Sequence, residues 1–187
     1  MRKLWLDVET TGLDDEKNGL IQIACIMVDE KDKKILDYFE ANIKPFKGCI
    51  YTDEAEVKHG KSKKDISKFT PEKNVLESFI KWLQKYQKGN QQFQIAGYNS
   101  RFDQDFISAW FKRNKENFWL SFNYYDIDVF AMVKELDLSG TYEGRPSKKL
   151  QAICDAQGVD LKDAHDALAD IIATRKLYKK LKKRYYK

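Results

Sequence analysis

The sequence is poor in cysteine, glycine and proline, and these shortages exclude several classes of protein. Its three cysteines, Cys25, Cys49 and Cys154, are odd in number and far apart. This spacing fits neither a disulfide framework nor a CxxC metal or redox motif, so we expect reduced, buried thiols. Nine glycines and three prolines in 187 residues are typical of one folded domain.

Long apolar runs are also missing. The most apolar stretch, Ile23 to Val28, is flanked closely by Gln22 and Asp29 and falls far short of the ~18 to 20 residues of a membrane helix. The amino terminus becomes acidic at Asp7, before the core of a signal peptide could form. We therefore expect an intracellular, cytoplasmic protein without a membrane partner.

The composition is otherwise that of one globular unit. Hydrophobic residues make up 42% and charged residues 34% of the chain, and we find no repeat or linker, so residues 1–187 are predicted to form a single domain. The net charge is +5, and residues 175–187 contain eight basic residues and no acidic one. This basic end of the chain can attract polyanions such as nucleic acid.

Apolar patterning predicts the order of the elements. Three strands in close succession, typical of an antiparallel meander, are predicted at 3–8, 20–28 and 34–43. A polar loop with a short helix follows over 44–69, and Pro71 is expected at the first position of the next helix. Further segments are a strand at 93–98, a helix at 102–114, a short strand at 124–129 leading into a helix, a loop at 140–146, and helices at 148–157 and 164–183. The order predicts an α/β fold with a mixed five-stranded sheet flanked by helices.

Two carboxylates stand together at the end of the first strand. Asp7 and Glu9 are two residues apart and project to the same face of a strand. Adjacent carboxylates repel each other unless a cation such as Mg²⁺ or Mn²⁺ bridges them or a proton is shared. The alternative is a solvated strand end, although the turn at Thr10 to Gly12 can also offer backbone N–H groups to an anionic ligand.

Two further acidic segments begin helices. Asp103 lies in the first turn of a helix, where the helix dipole favours an acid in any case. In the segment 164–170, Asp166 and Asp170 share a helical face, and His165 has to lie at or before the start of the helix to point the same way. We expect the small and acidic neighbours of His165 to raise its basicity, although a lone histidine can also be structural.

Together, four carboxylates and one histidine at the ends of elements are typical of a two-metal site for phosphoryl transfer. At this point the sequence resembles the DEDDh (DnaQ-like) 3′–5′ exonuclease family, which includes the proofreading epsilon subunit of DNA polymerase III and ribonuclease T. Residues 7–13 resemble its first motif, Asn99 with Phe102-Asp103 its second, and His165 with Asp170 its third. The resemblance covers about residues 3–181.

The resemblance implies a ribonuclease H-like fold and a role for each motif residue. Asp7, Glu9, Asp103 and Asp170 would hold two divalent ions, Mg²⁺ or Mn²⁺, with His165 as general base. The residues implied to contact the substrate are Thr10, Thr11, Gly12, Leu13, Asn99 and Phe102, with Leu13 as a wedge against the terminal base. Lys61 departs from the family pattern after His59-Gly60, so we assign no role to that loop. The acids at 105, 163 and 166 are interpreted as exposed or dipole-favoured.

The function implied is hydrolysis of single-stranded DNA from its 3′ end, with release of nucleoside 5′-monophosphates. Trimming of RNA or short oligoribonucleotides is an alternative, because no contact to a 2′-hydroxyl can be identified in the sequence. Two alternatives from other classes are a catalytically silent nucleic-acid-binding module and an adaptor whose basic end docks an acidic partner. A polymerase or replication partner and the oligomeric state stay open.

Overall fold

The fold is organised around a six-stranded mixed sheet. The computed structural model describes residues 1–162 and 164–186. The sheet has the strand order β4-β3-β2-β1-β5-β6, and β7 and β8 form a separate hairpin. The strands are β1 (Arg2–Thr10), β2 (Leu20–Val28), β3 (Ile35–Lys44), β4 (Thr70–Pro71), β5 (Phe93–Gly97), β6 (Ile127–Asp128), β7 (Gly140–Tyr142) and β8 (Arg145–Ser147).

Seven α-helices and one 3₁₀ turn are described. The helices are α1 (Asp53–His59), α2 (Lys63–Ile66), α3 (Glu72–Gln84), α4 (Ser100–Arg113), α5 (Val129–Glu135), α6 (Leu150–Gln157) and α7 (Ala167–Tyr185), and the 3₁₀ turn spans Phe118–Leu120. In the described part of the chain, no helix combines the length and apolar character needed to cross a membrane.

The first three strands form the antiparallel meander that the sequence predicts. β1 pairs antiparallel with β2, and β2 pairs antiparallel with β3. β1 pairs in parallel with β5 on its other side, with Trp5 opposite Ala96. The carboxyl ends of β1 and β5 therefore meet at one edge of the sheet, and residues that follow these strands are brought together there.

Two details of the fold differ from the sequence prediction. The sheet has six strands because Thr70 and Pro71 pair in parallel with Ile43 and Lys44 of β3. Pro71 is consequently the residue before α3, whose first residue is Glu72. The predicted loop 140–146 also contains a hairpin, in which Thr141 pairs with Pro146. Both pairings are too short to produce a run of alternating residues.

Each face of the sheet is covered by a separate apolar core. One core packs Leu4, Leu6 and Val8 of β1 against α3 and α4. The other packs Trp5 and the opposite face of β2 against α5, α6 and α7. Since the side chains of β1 alternate, its odd-numbered residues face α7. Of the cysteines, Cys25 and Cys154 are buried as expected, whereas Cys49 is half-buried.

Candidate active site

Strand β1 brings two carboxylates to the sheet edge. Asp7 lies opposite Ala24 and Glu9 lies opposite Gln22 in the pairing with β2. Both carboxylates follow Trp5 at odd positions and project to the side of the sheet that α7 covers. Glu9 is 4% exposed and Asp7 is half-buried. A strand end exposed to solvent, the alternative interpretation of this pair, is therefore wrong for Glu9.

Helix α4 contributes the third carboxylate from the neighbouring strand end. Asn99 precedes this helix in the left-handed conformation, with φ at 64°. One turn later the Asp103 carboxylate is buried, and its Oδ1 accepts a hydrogen bond from the Val8 backbone N–H at 3.2 Å. A Cβ on Gly97 would lie 2.9 Å from the Leu6 carbonyl oxygen and 3.4 Å from Asp103 Oδ2. The absence of a side chain at Gly97 thus allows β5 to lie close to both β1 and the start of α4.

The beginning of α7 contributes the fourth carboxylate and the histidine. Asp166 caps this helix by accepting hydrogen bonds from the Leu168 and Ala169 N–H groups. His165 precedes the helix, which begins at Ala167 instead of at the predicted residue 164, and has a φ of 71°. Its backbone N–H donates a hydrogen bond of 3.3 Å to Asp170 Oδ2. The left-handed turn thereby directs His165 and the first turn of α7 toward the same place.

These side chains converge on one point, where they could hold a metal ion. Ligand atoms of Glu9, His165 and Asp170 lie within 4.8 Å of one another. The buried Oδ1 of Asp170 has no hydrogen-bond partner among the described residues. Carboxylate oxygens are the donors that Mg²⁺ and Mn²⁺ prefer, so the residues present fit a divalent ion. Asp7 and Asp103 are not part of this group of three, but their charges act on the same cluster.

Burial and mutual repulsion raise the pKa values of all four carboxylates. Burial raises the pKa of Glu9 to about 7 and that of Asp170 to about 6. The pKa of Asp7 is raised well above its ordinary value by burial and then by the charges of Asp103, Asp170 and Glu9. Burial also raises the pKa of Asp103, although the hydrogen bond from Val8 opposes this rise. Ionising the whole cluster is costly without a compensating cation.

The environment of His165 has the opposite effect from the one predicted. The sequence suggests that acidic neighbours raise the basicity of this histidine. In the structure, burial lowers the pKa of His165, and the nearby ammonium groups of Lys58 and Lys149 lower it further. The lysines come from distant parts of the sequence, so counting the immediate neighbours of His165 misses them. A lowered pKa leaves the imidazole neutral, and thus able to accept a proton, at pH 7.

Lys58 is the residue of this site that the sequence analysis misses. It lies in α1, and its Nζ is 3.9 Å from Glu9 Oε2. The ammonium lowers the pKa values of Asp7, Glu9, Asp103 and Asp170, which shows that its charge acts on the whole cluster. The sequence places this lysine in a polar loop, and only the fold of that segment across the sheet edge brings it here.

Two cavities border the carboxylates, one on each side of α1. The first, of about 670 Å³, contains Asp7, His165 and Asp170 together with Tyr98 and Tyr142. The second, of about 650 Å³, has a lining that includes Glu9, Thr10, Gly12, Leu13 and Phe102. Each volume is in the range of small-molecule sites. Glu54 and Lys58 line both cavities.

The predicted substrate residues are therefore divided between different places. Leu13 stands at the second cavity with 86% of its surface exposed. Thr11 does not line either cavity: it is buried, its hydroxyl donates to the Ile50 carbonyl, and its backbone N–H donates to Gly19. Asn99 lines a separate surface depression beside Lys148. Thr11 thus closes the loop between β1 and β2, and Asn99 shapes the turn before α4.

The acids outside the motifs have structural partners. Asp105 pairs with Arg101 one helical turn earlier, at 3.0 Å. Asp166 caps α7 and also accepts a hydrogen bond from Gln22 at 3.2 Å. Asp163 lies outside the described residues. The two described acids agree with the interpretation of exposed or dipole-favoured groups.

The sheet order and the acidic site at the ends of β1 and β5 define a ribonuclease H-like α/β fold with a candidate metal centre. The RNase_T family model, described as exonuclease, matches residues 4–178, and the chain belongs to this exonuclease family. It is therefore a phosphodiester hydrolase. Membership of the family argues against the alternative of a catalytically silent module.

Similar proteins agree with this assignment. Ribonuclease T of Yersinia pseudotuberculosis is 27% identical over 97% of this chain and 85% of its own length. Ribonuclease T of Buchnera aphidicola is 29% identical over 96% and 83%. Structures of E. coli exonuclease I, with a dT13 oligonucleotide and as a zinc-bound complex with single-stranded DNA, share the fold at a TM-score of 0.82 and 22% identity. This chain is covered to 98% in those matches but spans only 41% of the exonuclease I chain.

Proposed function

We propose that this exonuclease hydrolyses single-stranded DNA from the 3′ end and releases nucleoside 5′-monophosphates. The observation that carries the proposal is the convergence of Glu9, His165 and Asp170 within 4.8 Å, beside two further carboxylates and between two cavities. A terminal nucleotide in one cavity and its neighbour in the other would place the connecting phosphate at the carboxylates.

The four carboxylates would hold two divalent ions in this proposal. Asp170 Oδ1, buried without a partner among the described residues, and Glu9 are the oxygens best placed as ligands, with Asp7 and Asp103 beside them. When bound, such ions lower the pKa of water and stabilise charge on the attacking and leaving oxygens of an in-line displacement.

The protein's own groups supply the remaining steps. His165, neutral because its pKa is lowered, accepts the proton of the attacking water. The water oxygen forms a bond to phosphorus, and the bond to the 3′-oxygen of the preceding nucleotide breaks. The terminal nucleotide thereby leaves as a 5′-monophosphate. Leu13, which projects into solvent at the second cavity, would pack against the terminal base, a contact suited to an unpaired end.

RNA is the second candidate substrate, and the names of the relatives favour it. Two of them, at 27% and 29% identity, are ribonucleases T, whereas the exonuclease I structures that share the fold were solved with single-stranded DNA. A polymerase or replication partner stays a prediction, to be tested by co-purification with the tagged full-length chain.

Digestion of matched 5′-labelled DNA and RNA oligomers tests the proposal. The protein is incubated with Mg²⁺, with Mn²⁺ and with EDTA, and Asp7→Ala serves as the inactive control. We expect a metal-dependent ladder that shortens DNA from its 3′ end. A faster ladder on RNA would assign the enzyme to RNA. Internal cleavage products, or a ladder that persists in EDTA, would contradict the proposed mechanism.

A further inference from the structure

A basic groove lies at the opposite end of β1 from the carboxylates. It has a volume of about 280 Å³, and five lysines from three parts of the chain line it together with Asp32. Lys3 comes from β1, Lys31 from the turn between β2 and β3, and the others from α7. The lysines are Lys3, Lys31, Lys179, Lys182 and Lys183.

Asp32 is the one carboxylate among the described residues that line the groove, and it is paired with Arg175, which lies outside the lining. Asp32 is 5% exposed, and its Oδ1 accepts a hydrogen bond of 2.9 Å from Arg175 Nε. Lys3 and Lys179 lie 3.7 and 3.9 Å from the same carboxylate. Arg175 therefore balances Asp32, and the lysines around the groove keep an excess of positive charge. Such a concave positive surface attracts a polyanion.

Two independent lengths place this groove relative to the active site. Lys3 precedes Asp7 by four residues on β1, about 13 Å at ~3.3 Å per residue. Lys182 follows Asp170 by twelve residues on α7, about 18 Å at 1.5 Å per residue. Strand and helix thus join the groove rigidly to the site, at a separation of about 13 to 18 Å.

We propose that this basic groove binds the backbone of the same nucleic acid strand whose 3′ end occupies the active site. The inference rests on the proposed function. The acidic site itself repels a polyanion, so a positive surface at a fixed distance from it supplies attraction that the site lacks. At the ~3.4 Å per nucleotide of a stacked strand, the separation corresponds to about four or five nucleotides. Only longer substrates reach both places.

A charge reversal on two different elements tests the groove. Lys31 and Lys183 are both exposed, so the double variant Lys31→Glu/Lys183→Glu removes groove charge without disturbing a core. The matched control is Lys73→Glu/Lys81→Glu, which makes the same change in net charge at two exposed lysines of α3. kcat/KM is measured for the wild type and both variants on a dinucleotide and on a 20-nucleotide strand.

The expected result is a length-dependent loss. The ratio of kcat/KM for the long strand to that for the dinucleotide should fall about tenfold in the groove variant and stay at the wild-type value in the control. The slope of log affinity against log salt should decrease in magnitude by about 1.4 in the groove variant, since each phosphate contact on a single strand contributes ~0.7. An unchanged ratio, or an equal change in both double variants, would overturn the proposal.

A binding measurement separates failure of the groove from failure of the proposed function. Fluorescence anisotropy of a labelled 20-nucleotide strand in EDTA reports binding without hydrolysis. Suppose that the wild type cleaves no oligomer, and that the groove variant binds the strand more weakly than the wild type and the control variant do. The proposed function is then wrong, whereas the proposal that the groove binds the strand is supported. If the groove variant binds the strand normally but loses binding to polyglutamate, the groove serves an acidic protein and the proposal is wrong.

Discussion

The ammonium of Lys58 lies 3.9 Å from Glu9 Oε2, and its charge lowers the pKa values of all four carboxylates of the site. This lysine is the nearest positive charge to the cluster in the described part of the chain, and it reaches the site from α1. Its charge partly compensates the repulsion among the carboxylates, which bound divalent ions would also reduce. Lys58 and a bound ion therefore act on the same carboxylates, and the ion has to bind in the field of the lysine.

Replacing Lys58 should lower the stability of the metal-free protein and increase the rise in Tm that Mg²⁺ causes. We expect Lys58→Ala to lower the free energy of unfolding in EDTA by less than about 1 kcal/mol, because the side chain is 56% exposed. At pH 8 the Mg²⁺-induced rise in Tm should be larger than in the wild type, since a competing cation is gone. Thermal unfolding with a Mg²⁺ titration measures both effects. Lys64→Ala, at an exposed lysine of α2, is the control; an equal Mg²⁺ response in the two variants would contradict this role.

The raised carboxyl pKa values predict opposite effects of pH on the metal-free and metal-bound protein. Burial raises the pKa of Glu9 from 4.5 to about 7 and that of Asp170 to about 6. Between pH ~4.5 and ~7 the folded chain keeps protons that the unfolded chain has released, so the metal-free stability falls as pH rises through this window. Metal binding requires ionised carboxylates and therefore strengthens over the same window.

The measurement is the difference in Tm with Mg²⁺ and with EDTA at pH 5.5 and at pH 8. We expect a small difference at pH 5.5 and a large one at pH 8. The contribution of Glu9 alone is on the order of 3 kcal/mol across its titration. Glu9→Gln removes the titrating group, and its metal-free Tm should fall less steeply with pH than that of the wild type. A Mg²⁺ effect of the same size at both pH values would show that these groups do not hold the ion.

The sequence predicts the long buried strands of this protein better than the short strand that lies in a predicted loop region. β2, which is apolar except for Gln22, is buried along its whole length, and its predicted bounds are confirmed. The motifs around Asp7, Asp103 and Asp170 are identified through their resemblance to the family's three motifs, because each acid taken alone also fits a solvated or dipole-favoured position. β4 could not be identified, because its two residues are too few to form a pattern and pair with β3 across the intervening α1 and α2.

The same distinction applies within the candidate site. Lys58 and Lys149 act on His165 from distant segments, so the direction of its pKa shift depends on tertiary structure. Thr11 is part of a recognisable motif, yet its hydroxyl and backbone are used by Ile50 and Gly19. A motif therefore indicates which segments form the site, whereas the fold determines which of their side chains line the two cavities.

His165 is expected to act in turnover and not in holding the metal. His165→Ala should lower kcat by about 10² to 10⁴, the usual contribution of a general base, and leave the Mg²⁺-induced rise in Tm unchanged. His59→Ala, the same change at the other histidine, controls for loss of an imidazole near the cleft and should keep most of its turnover. Since His165 lies within 4.8 Å of Glu9 and Asp170, a lost Mg²⁺ response in His165→Ala would show that it is a ligand instead.

Leu13 should affect substrate affinity without affecting stability. Its side chain is 86% exposed at the second cavity, so Leu13→Ala removes little packing in the free protein, and its Tm should equal that of the wild type. We expect KM for a single-stranded oligomer to rise about fivefold, corresponding to ~1 kcal/mol of lost apolar contact with the terminal base. Leu120→Ala, at a leucine 69% exposed in the 3₁₀ turn and outside the lining of both cavities, is a matched control. The same KM in the wild type and Leu13→Ala would argue against the wedge.

Gly97 should couple the stability of the sheet to the position of Asp103. A Cβ at this residue of β5 would lie 2.9 Å from the Leu6 carbonyl oxygen and 3.4 Å from Asp103 Oδ2, so Gly97→Ala forces β5 away from β1 and from the start of α4. We expect a loss of about 1 to 3 kcal/mol in the free energy of unfolding, as for overpacking in a core, together with weaker Mg²⁺ binding. Gly89→Ala is the control, because its φ of 55° is strained for alanine but no atom lies within 4 Å. This control should lose about 1 kcal/mol from backbone strain alone and keep full Mg²⁺ binding. Denaturant unfolding with and without Mg²⁺ measures both quantities. If Gly97→Ala is destabilised but binds Mg²⁺ normally, the close packing at Gly97 does not determine the geometry of the metal site.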